Sequence, residues 1–314
     1  MSVAASSVRT LLARALAPLL AALAVAGCGL GAGPAPTGVQ LTITRDFGAR
    51  LLRRSEDPKV SGQETDMSLL LRNDAVTTRY GGGFVESIDG LSGGEEAGAP
   101  VDWFYYVNGV EAPKGAADTD VQPGDHIWWD RHDWSQTEDV PAVVGSFPEP
   151  FLNGIAGKRL PVRVECAPGA PCSTVLERLR AAGVPAAAGA IGGGGAPESL
   201  RVLVGTFAQL RGEAATEALA GGPRASGIYA RLASGGRSLV LLDQNGSETQ
   251  MLAAGTGLVA ATRSGDGAPV WLVAGTDSSG VMRAVSALGQ RTLEDRFAVA
   301  LTPSGSIALP EANR

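Results

Sequence analysis

Three cysteines and two histidines bound the chemistry that this 314-residue chain can carry. Cys166 and Cys172 bracket Cys-Ala-Pro-Gly-Ala-Pro-Cys, where Pro168-Gly169 turns the chain back on itself. Outside the cytoplasm such a pair reads as a structural disulfide, with free thiols the alternative. A redox-active pair is more often spaced Cys-x-x-Cys. Asp130-Arg131-His132-Asp133 puts Asp130 and His132 on one face of a strand, but two candidate ligands do not make a metal site. Surface salt-bridging and turn capping are expected of these residues, and a turn role of Asp125. Leu203-Val-Gly-Thr206 and Val273-Ala-Gly-Thr276 each end a strand and open towards a helix, where an anion can sit. Neither matches a Walker A loop or a Gly-x-Gly-x-x-Gly fingerprint, so tight turning and capping are the simpler roles. There is no Gly-x-Ser-x-Gly elbow, and both histidines precede the C-terminal half, which leaves no base there for nucleophilic catalysis. No catalytic residue, metal or obligate cofactor is expected, and the chain is not expected to be an enzyme.

Aromatic residues are the more telling feature. The chain has Trp 5, Tyr 4 and Phe 7, and seven of these sixteen rings fall between residues 103 and 134. Along a strand, Trp103, Tyr105 and Val107 share one face while Phe104, Tyr106 and Asn108 share the other, and Trp128 and Trp129 point opposite ways. The elements around them follow from pattern. Val39 to Thr44 alternates as a strand, and a helix begins near Thr65. Short strands span 76–80 and 83–88. Asn108-Gly109 marks a tight hairpin, and Gln122-Pro-Gly-Asp125 turns into a closing strand from His126 to Arg131. One helix on such a sheet covers one face only. The other must meet a second domain, a ligand or another protein. Trp103, Tyr105, Tyr106, Asn108, Trp128, Trp129 and Trp134 are therefore the candidate ligand-binding residues.

The termini of this arrangement are also legible. Arg9 and Arg14 precede an apolar stretch from Ala15 to Ala26, too short to span a membrane and suited to an export signal. Val25-Ala-Gly-Cys28 resembles the bacterial lipoprotein signal, in which the cysteine receives a lipid. Cleavage there removes Arg9 and Arg14 and takes the net charge from −6 to −8. Acyl chains, rather than charge, would then hold the protein at the membrane, facing outward. That balance also excludes a basic nucleic-acid footprint. The organisation expected is a signal at 1–27, a lipidated tether at 28–38, a first domain at 39–140, a linker at 141–160 and a second domain at 161–310. In the second domain strands near 160–165, 199–205, 228–232, 238–242, 270–275 and 297–301 are interspersed with helices near 173–182, 212–219 and 278–288. This predicts a small α/β layer with some parallel pairing. The fold class expected is α+β, with a β-grasp-like N-terminal domain followed by an α/β domain.

The run Trp103-Phe-Tyr-Tyr-Val-Asn-Gly109, with Gly115, Gly124-Asp125-x-Ile127 and Trp134, resembles the small C-terminal domain of transcobalamin and intrinsic factor. The likeness covers about 95 residues of 314. It implies a β-grasp fold allied to soluble-ligand binding, with a cobalamin-type ligand possible. The vitamin carriers close this domain against a large helical barrel that the chain lacks. The expected function is a lipid-anchored, extracytoplasmic small-ligand-binding protein serving a membrane transporter. The alternative is an envelope lipoprotein that grips another protein and takes no small ligand.

Overall fold

The computed structural model describes residues 36–192 and 198–312; the expected export signal, Cys28 and the expected tether as far as residue 35 lie outside them. The alternating run forms β1 (Gln40–Arg45), paired antiparallel with β2 (Arg50–Ser55). Helix α1 (Asp66–Asn73) starts at a capping box: the Ser68 amide donates to the Thr65 hydroxyl and the Thr65 amide to the Ser68 hydroxyl. This satisfies two of the amides that a helix start leaves unpaired. β3 (Val76–Arg79), β4 (Phe84–Ile88) and β5 (Leu91–Ser92) make a small antiparallel sheet. β6 (Gly94–Glu96), β7 (Ala99–Val107), β8 (Val110–Glu111) and β9 (His126–Asp133) complete the main sheet. Its order is β2-β1-β9-β7-β6, with β8 on β7, β1 parallel to β9, and β7 antiparallel to β9. Asn108 and Gly109 turn β7 into β8 at φ 55° and 74°, the left-handed conformation that these two residue types adopt most readily.

In the second lobe β10 (Val162–Cys166), α2 (Cys172–Ala181), β11 (Ala186–Ala190) and β12 (Leu200–Thr206) alternate strand and helix. α3 (Ala214–Ala220) and α4 (Pro223–Ser226) lead into an antiparallel sheet of β13 (Ala230–Ala233), β14 (Ser238–Leu242) and β15 (Glu248–Leu252). β16 (Gly257–Thr262), β17 (Val270–Gly275), α5 (Ser278–Ala287), α6 (Gln290–Leu293), β18 (Ala298–Thr302) and β19 (Gly305–Leu309) close the lobe. Seven strands form one sheet in the order β11-β10-β12-β17-β16-β18-β19, parallel from β11 to β17 and antiparallel beyond. The chain is thus mixed α+β. Cys166 and Cys172 are joined by a disulfide, with 5.9 Å between their Cα atoms. The helix expected from an N-cap at Ser173 starts earlier, at Cys172, and no side chain caps it.

Three apolar clusters hold the molecule together. One lies between α1 and the inner face of the main sheet, around Leu41, Ile43, Leu69, Leu70, Trp103, Ile127 and Trp129. A second joins the two lobes, with Phe47, Tyr106 and Trp128 packed among Leu203, Phe207, Tyr229, Leu272 and Phe297. The third fills the far side of the seven-stranded sheet and includes Val164, Val202, Trp271 and Val285. The segment 141–160, expected as a linker, is part of this packing. Val143 and Val144 are fully buried, and Phe147 and Phe151 enter the third cluster beside Trp271.

Candidate functional site

At the open end of the β7–β8 hairpin lies a pocket of about 240 Å³. Val107, Val110 and Ile155 give it an apolar wall; Glu111, Lys114, Asp118, Asp120 and Asp125 line it with charge, and Arg263 joins from the second lobe. An apolar space with a few polar groups is the usual makeup of a small-molecule site. Burial shifts its ionisable groups. Glu111 is raised to about 7, first by burial and then by Asp139, with Arg263 opposing. Asp125 is raised by burial, while the Gln122 amide and the Asn108 side-chain amide, each donating at 2.8 Å, pull it down. Behind them Asp66 is fully buried in the first turn of α1, and neither carboxylate oxygen has a hydrogen-bond partner. Burial, then Asp125 and Asp120, drives its pKa well upward. Glu111 and Asp125 are thus shifted carboxyls on the lining of a partly apolar pocket, a pattern common at functional sites, while Asp66 stands outside that lining.

Two of the seven predicted ligand residues stand behind this pocket. The Tyr105 hydroxyl donates to the Lys114 carbonyl at 2.6 Å and lies 2.9 Å from the Thr119 hydroxyl, while its ring stacks on Trp129. Asn108 is fully buried and donates to Asp125 Oδ1 at 2.8 Å and to the Gly154 carbonyl at 2.9 Å; its Oδ1 accepts from the His126 amide. Both fix the walls of the pocket. The other five lie elsewhere. Trp103 and Trp129 are buried on the α1 side, and Trp103 Nε1 donates to the Leu91 carbonyl. Tyr106 and Trp128 are fully buried, and Trp134 is half-buried just past β9. The outer aromatic face is taken by the second lobe, one of the occupants open from sequence. Phe297 lies edge-on to Trp128 and Tyr106, with ring centroids at 5.3 and 5.5 Å.

The run 130–133 departs from its expected surface role. All four residues are buried, because β9 is flanked by β1 and β7 and covered on both faces. Asp130 accepts from the Thr44 hydroxyl and the Phe47 and Gly48 amides and lies 2.8 Å from His132 Nδ1, so both oxygens of the buried carboxyl are hydrogen-bonded. The His132 ring is stacked between Phe47 and Phe104, 4.4 Å from each. Arg131 donates to the Ser92 carbonyl and to Glu96. Asp125 takes its expected turn role. Of the two turns expected to open towards a helix, 203–206 does not: α3 starts only at Ala214, and the Thr206 hydroxyl accepts from the Gln209 amide. The 273–276 turn does, and is filled from within. A Cβ on Gly275 would sit 2.4 Å from the Val281 nitrogen, and Asp277 caps α5 by accepting from the Gly280 amide.

Among the described residues, no group of three or more His, Cys, Asp or Glu is placed to hold a metal ion. Nor is any helix there long and apolar enough to cross a membrane. Glu111 and Lys114 escaped the sequence reading because Glu-Ala-Pro-Lys matches no motif, and Ile155 and Arg263 join them only through the fold. Residues 64–133 match a family described as a domain of unknown function, DUF4430, which is a transcobalamin-like domain family. The match runs from just before α1 to the end of β9 and contains most of the residues lining the pocket. The chain matches no curated protein and no solved structure.

Proposed function

We propose that this chain is an exported, lipid-anchored protein that holds a small ligand in the β7–β8 pocket and presents it to a membrane transporter. The observation that carries the reading is the apolar pocket whose lining carboxyl, Glu111, is raised to about 7. The transcobalamin-like likeness of residues 64–133 supports it, as does one helix lying on a mixed sheet in the β-grasp manner. Cys28 would carry the lipid. Ligand pockets commonly hold about 300–1,000 Å³. At about 240 Å³ this one suits a compact solute with an apolar body and one charged group, and a corrinoid is far larger. A thermal-shift screen of small vitamins and amphipathic solutes tests the reading, because a ligand that binds only the folded state must raise its stability. A hit is expected to weaken in Glu111→Gln and in Ile155→Ala. A hit unmoved by both variants, or no hit at millimolar ligand, would remove the pocket from the proposal.

The alternative, an envelope protein that grips a partner, draws on a different place. Tyr80 is 86% exposed at the β3–β4 turn, with Phe84 edge-on at 6.3 Å. Exposed aromatic pairs favour protein contacts. Photocrosslinking from position 80 in intact cells would report a single recurrent partner if this reading holds.

A further inference from the structure

The last strand of the seven-stranded sheet, β19, has a partner strand on one side only. Backbone groups along an antiparallel strand alternate between its two sides. In β18 the pairs at Leu301 and Val299 bond to β16, which leaves Thr302, Ala300 and Ala298 to bond to β19. Ser306 and Ala308 stand opposite Leu301 and Val299, so their amides and carbonyls turn off the edge of the sheet. Neither amide donates to a backbone carbonyl elsewhere among the described residues. Natural edges of this kind are usually blunted by a charge, a proline or a bulge. Gly-Ser-Ile-Ala-Leu carries no charge and no proline, and its register with β18 is unbroken.

The surroundings of this edge are basic. Two grooves, of about 630 and 440 Å³, run along it and share Thr292 and Ser306 in their walls. Arg283 lines the first, Arg291 and Arg296 the second, and none of the three forms an ion pair among the described residues. The acids at hand are already engaged. Arg54 holds both Glu294 and Asp295, and Asp277, near Arg283, accepts from the Gly255 and Gly280 amides. Three arginines without counter-ions thus stand along one open edge of a chain whose net charge is −6. Met282 in the first groove and Leu51 in the second, each 49% exposed, add apolar contacts. A second copy of the chain fits poorly here, because pairing β19 with itself about a two-fold axis brings the arginines of both copies together. A lipid headgroup meets the charge but leaves the outward amides and carbonyls without partners in register.

We propose that the β19 edge is a docking site for an extended acidic segment of a partner protein, which adds to the sheet through Ser306 and Ala308 and sets its carboxylates on Arg283, Arg291 and Arg296. In strand addition of this kind main-chain bonds give affinity and alternate side chains give specificity. The site is separate from the hairpin pocket and from Tyr80. The probe is a capped peptide of alternating Glu and Val, read by fluorescence anisotropy on the whole chain. One control peptide has Gln in place of Glu, and another carries N-methyl groups throughout its backbone. Binding is expected for the Glu peptide alone, weakened by salt, with slowed amide exchange at Ser306 and Ala308. Arg291→Glu and Arg296→Glu should each weaken it about tenfold or more, the scale of a lost charged hydrogen bond. Ser306→Pro should abolish it and keep the fold, since a proline is tolerated where an edge amide faces solvent. Arg291 is exposed, so its variant decides even where Ser306→Pro unfolds the chain. No binding of the Glu peptide at millimolar concentration overturns the proposal. So does equal binding of either control peptide, or an affinity unchanged in Arg291→Glu. Phosphatidylglycerol vesicles that bind through these arginines more tightly than the peptide, or a dimer that Ser306→Pro dissolves, overturn it too.

Discussion

On the inner face of β1 and β9, Leu41, Ile43, Ile127 and Trp129 pack against helix α1. On the outer face of the same strands, Thr42, Thr44, His126, Trp128, Asp130 and His132 lie buried; hydrogen bonds link Thr42 to His126, and join Trp128 and His132 through Thr44 and Asp130 into one network. Trp128 Nε1 donates to Thr44, and Thr44 donates to Asp130. Asp130 also accepts from the Phe47 and Gly48 amides, which fixes the turn that carries Phe47 into the lobe interface. A face covered by one helix needs only apolar area. The face covered by a whole lobe combines rings with a polar network, and such a network has one satisfying arrangement. The difference teaches that hydrogen bonding within the first lobe, as much as burial, fixes the face on which the second lobe packs.

Phe297→Ala tests that distinction with the largest expected effect. The ring lies edge-on to Phe47, Tyr106, Trp128 and His132, all with centroids between 5.2 and 5.5 Å. Its removal should cost about 3–5 kcal/mol in denaturant unfolding, from lost transfer energy and a residual cavity. Hydrogen exchange should then rise along β18 and the 46–49 turn while α1 keeps its protection. Equal loss of protection in α1 would mean that the two faces open as one unit and that the contrast between them has no energetic content.

Titration sharpens the contrast at a somewhat smaller scale. His126, on the outer face 2.9 Å from the Thr42 hydroxyl, is lowered by burial to about 4. A histidine depressed in the fold stabilises above its unfolded pKa, and that stability is lost as pH falls from about 6.5 through about 4. Glu111 has the opposite sign. Raised to about 7, it favours the fold while protonated, so stability declines as pH rises from about 4.5 through about 7. Each shift is worth up to about 3 kcal/mol at roughly 1.4 kcal/mol per pH unit. Unfolding midpoints from pH 4 to 8 should show His126→Gln flattening the acid limb and Glu111→Gln flattening the neutral one. An acid limb unchanged in His126→Gln would show that this histidine is not buried neutral.

Much of this was open to sequence reasoning, and for definable reasons. Alternation separated Trp129 from Trp128 before any coordinates, because side chains on a strand must take opposite faces. Thr65 and Asn108-Gly109 announced a helix start and a hairpin through local hydrogen bonding and permitted φ. What escaped was set by distant partners. Asp130 and His132 look solvated in sequence because the Phe47 turn that buries them lies more than 80 residues away. β16, Gly-Leu-Val-Ala-Ala-Thr, lacks alternation because both of its faces are covered. The hairpin pocket needed Ile155 and Arg263, which no spacing rule connects to Glu111.

The smallest expected effect falls on the inner face, at its helix cap. Thr65→Ala removes the hydroxyl that accepts from the Ser68 amide, 3.3 Å away, but leaves the apolar contacts of Leu69 and Leu70 in place. Loss of an N-cap typically costs about 0.5–2 kcal/mol. The value here should sit near 1 kcal/mol, because the Ser68 hydroxyl still accepts from the residue 65 amide at 2.9 Å. Unlike Phe297→Ala, this change should raise exchange at the first turn of α1 and leave the outer network untouched, including the Trp128 indole bonded to Thr44. A tryptophan side-chain N–H resonance for Trp128 that shifts in Thr65→Ala would mean that the cap is felt through the sheet, and the two faces would then be coupled through the strands they share.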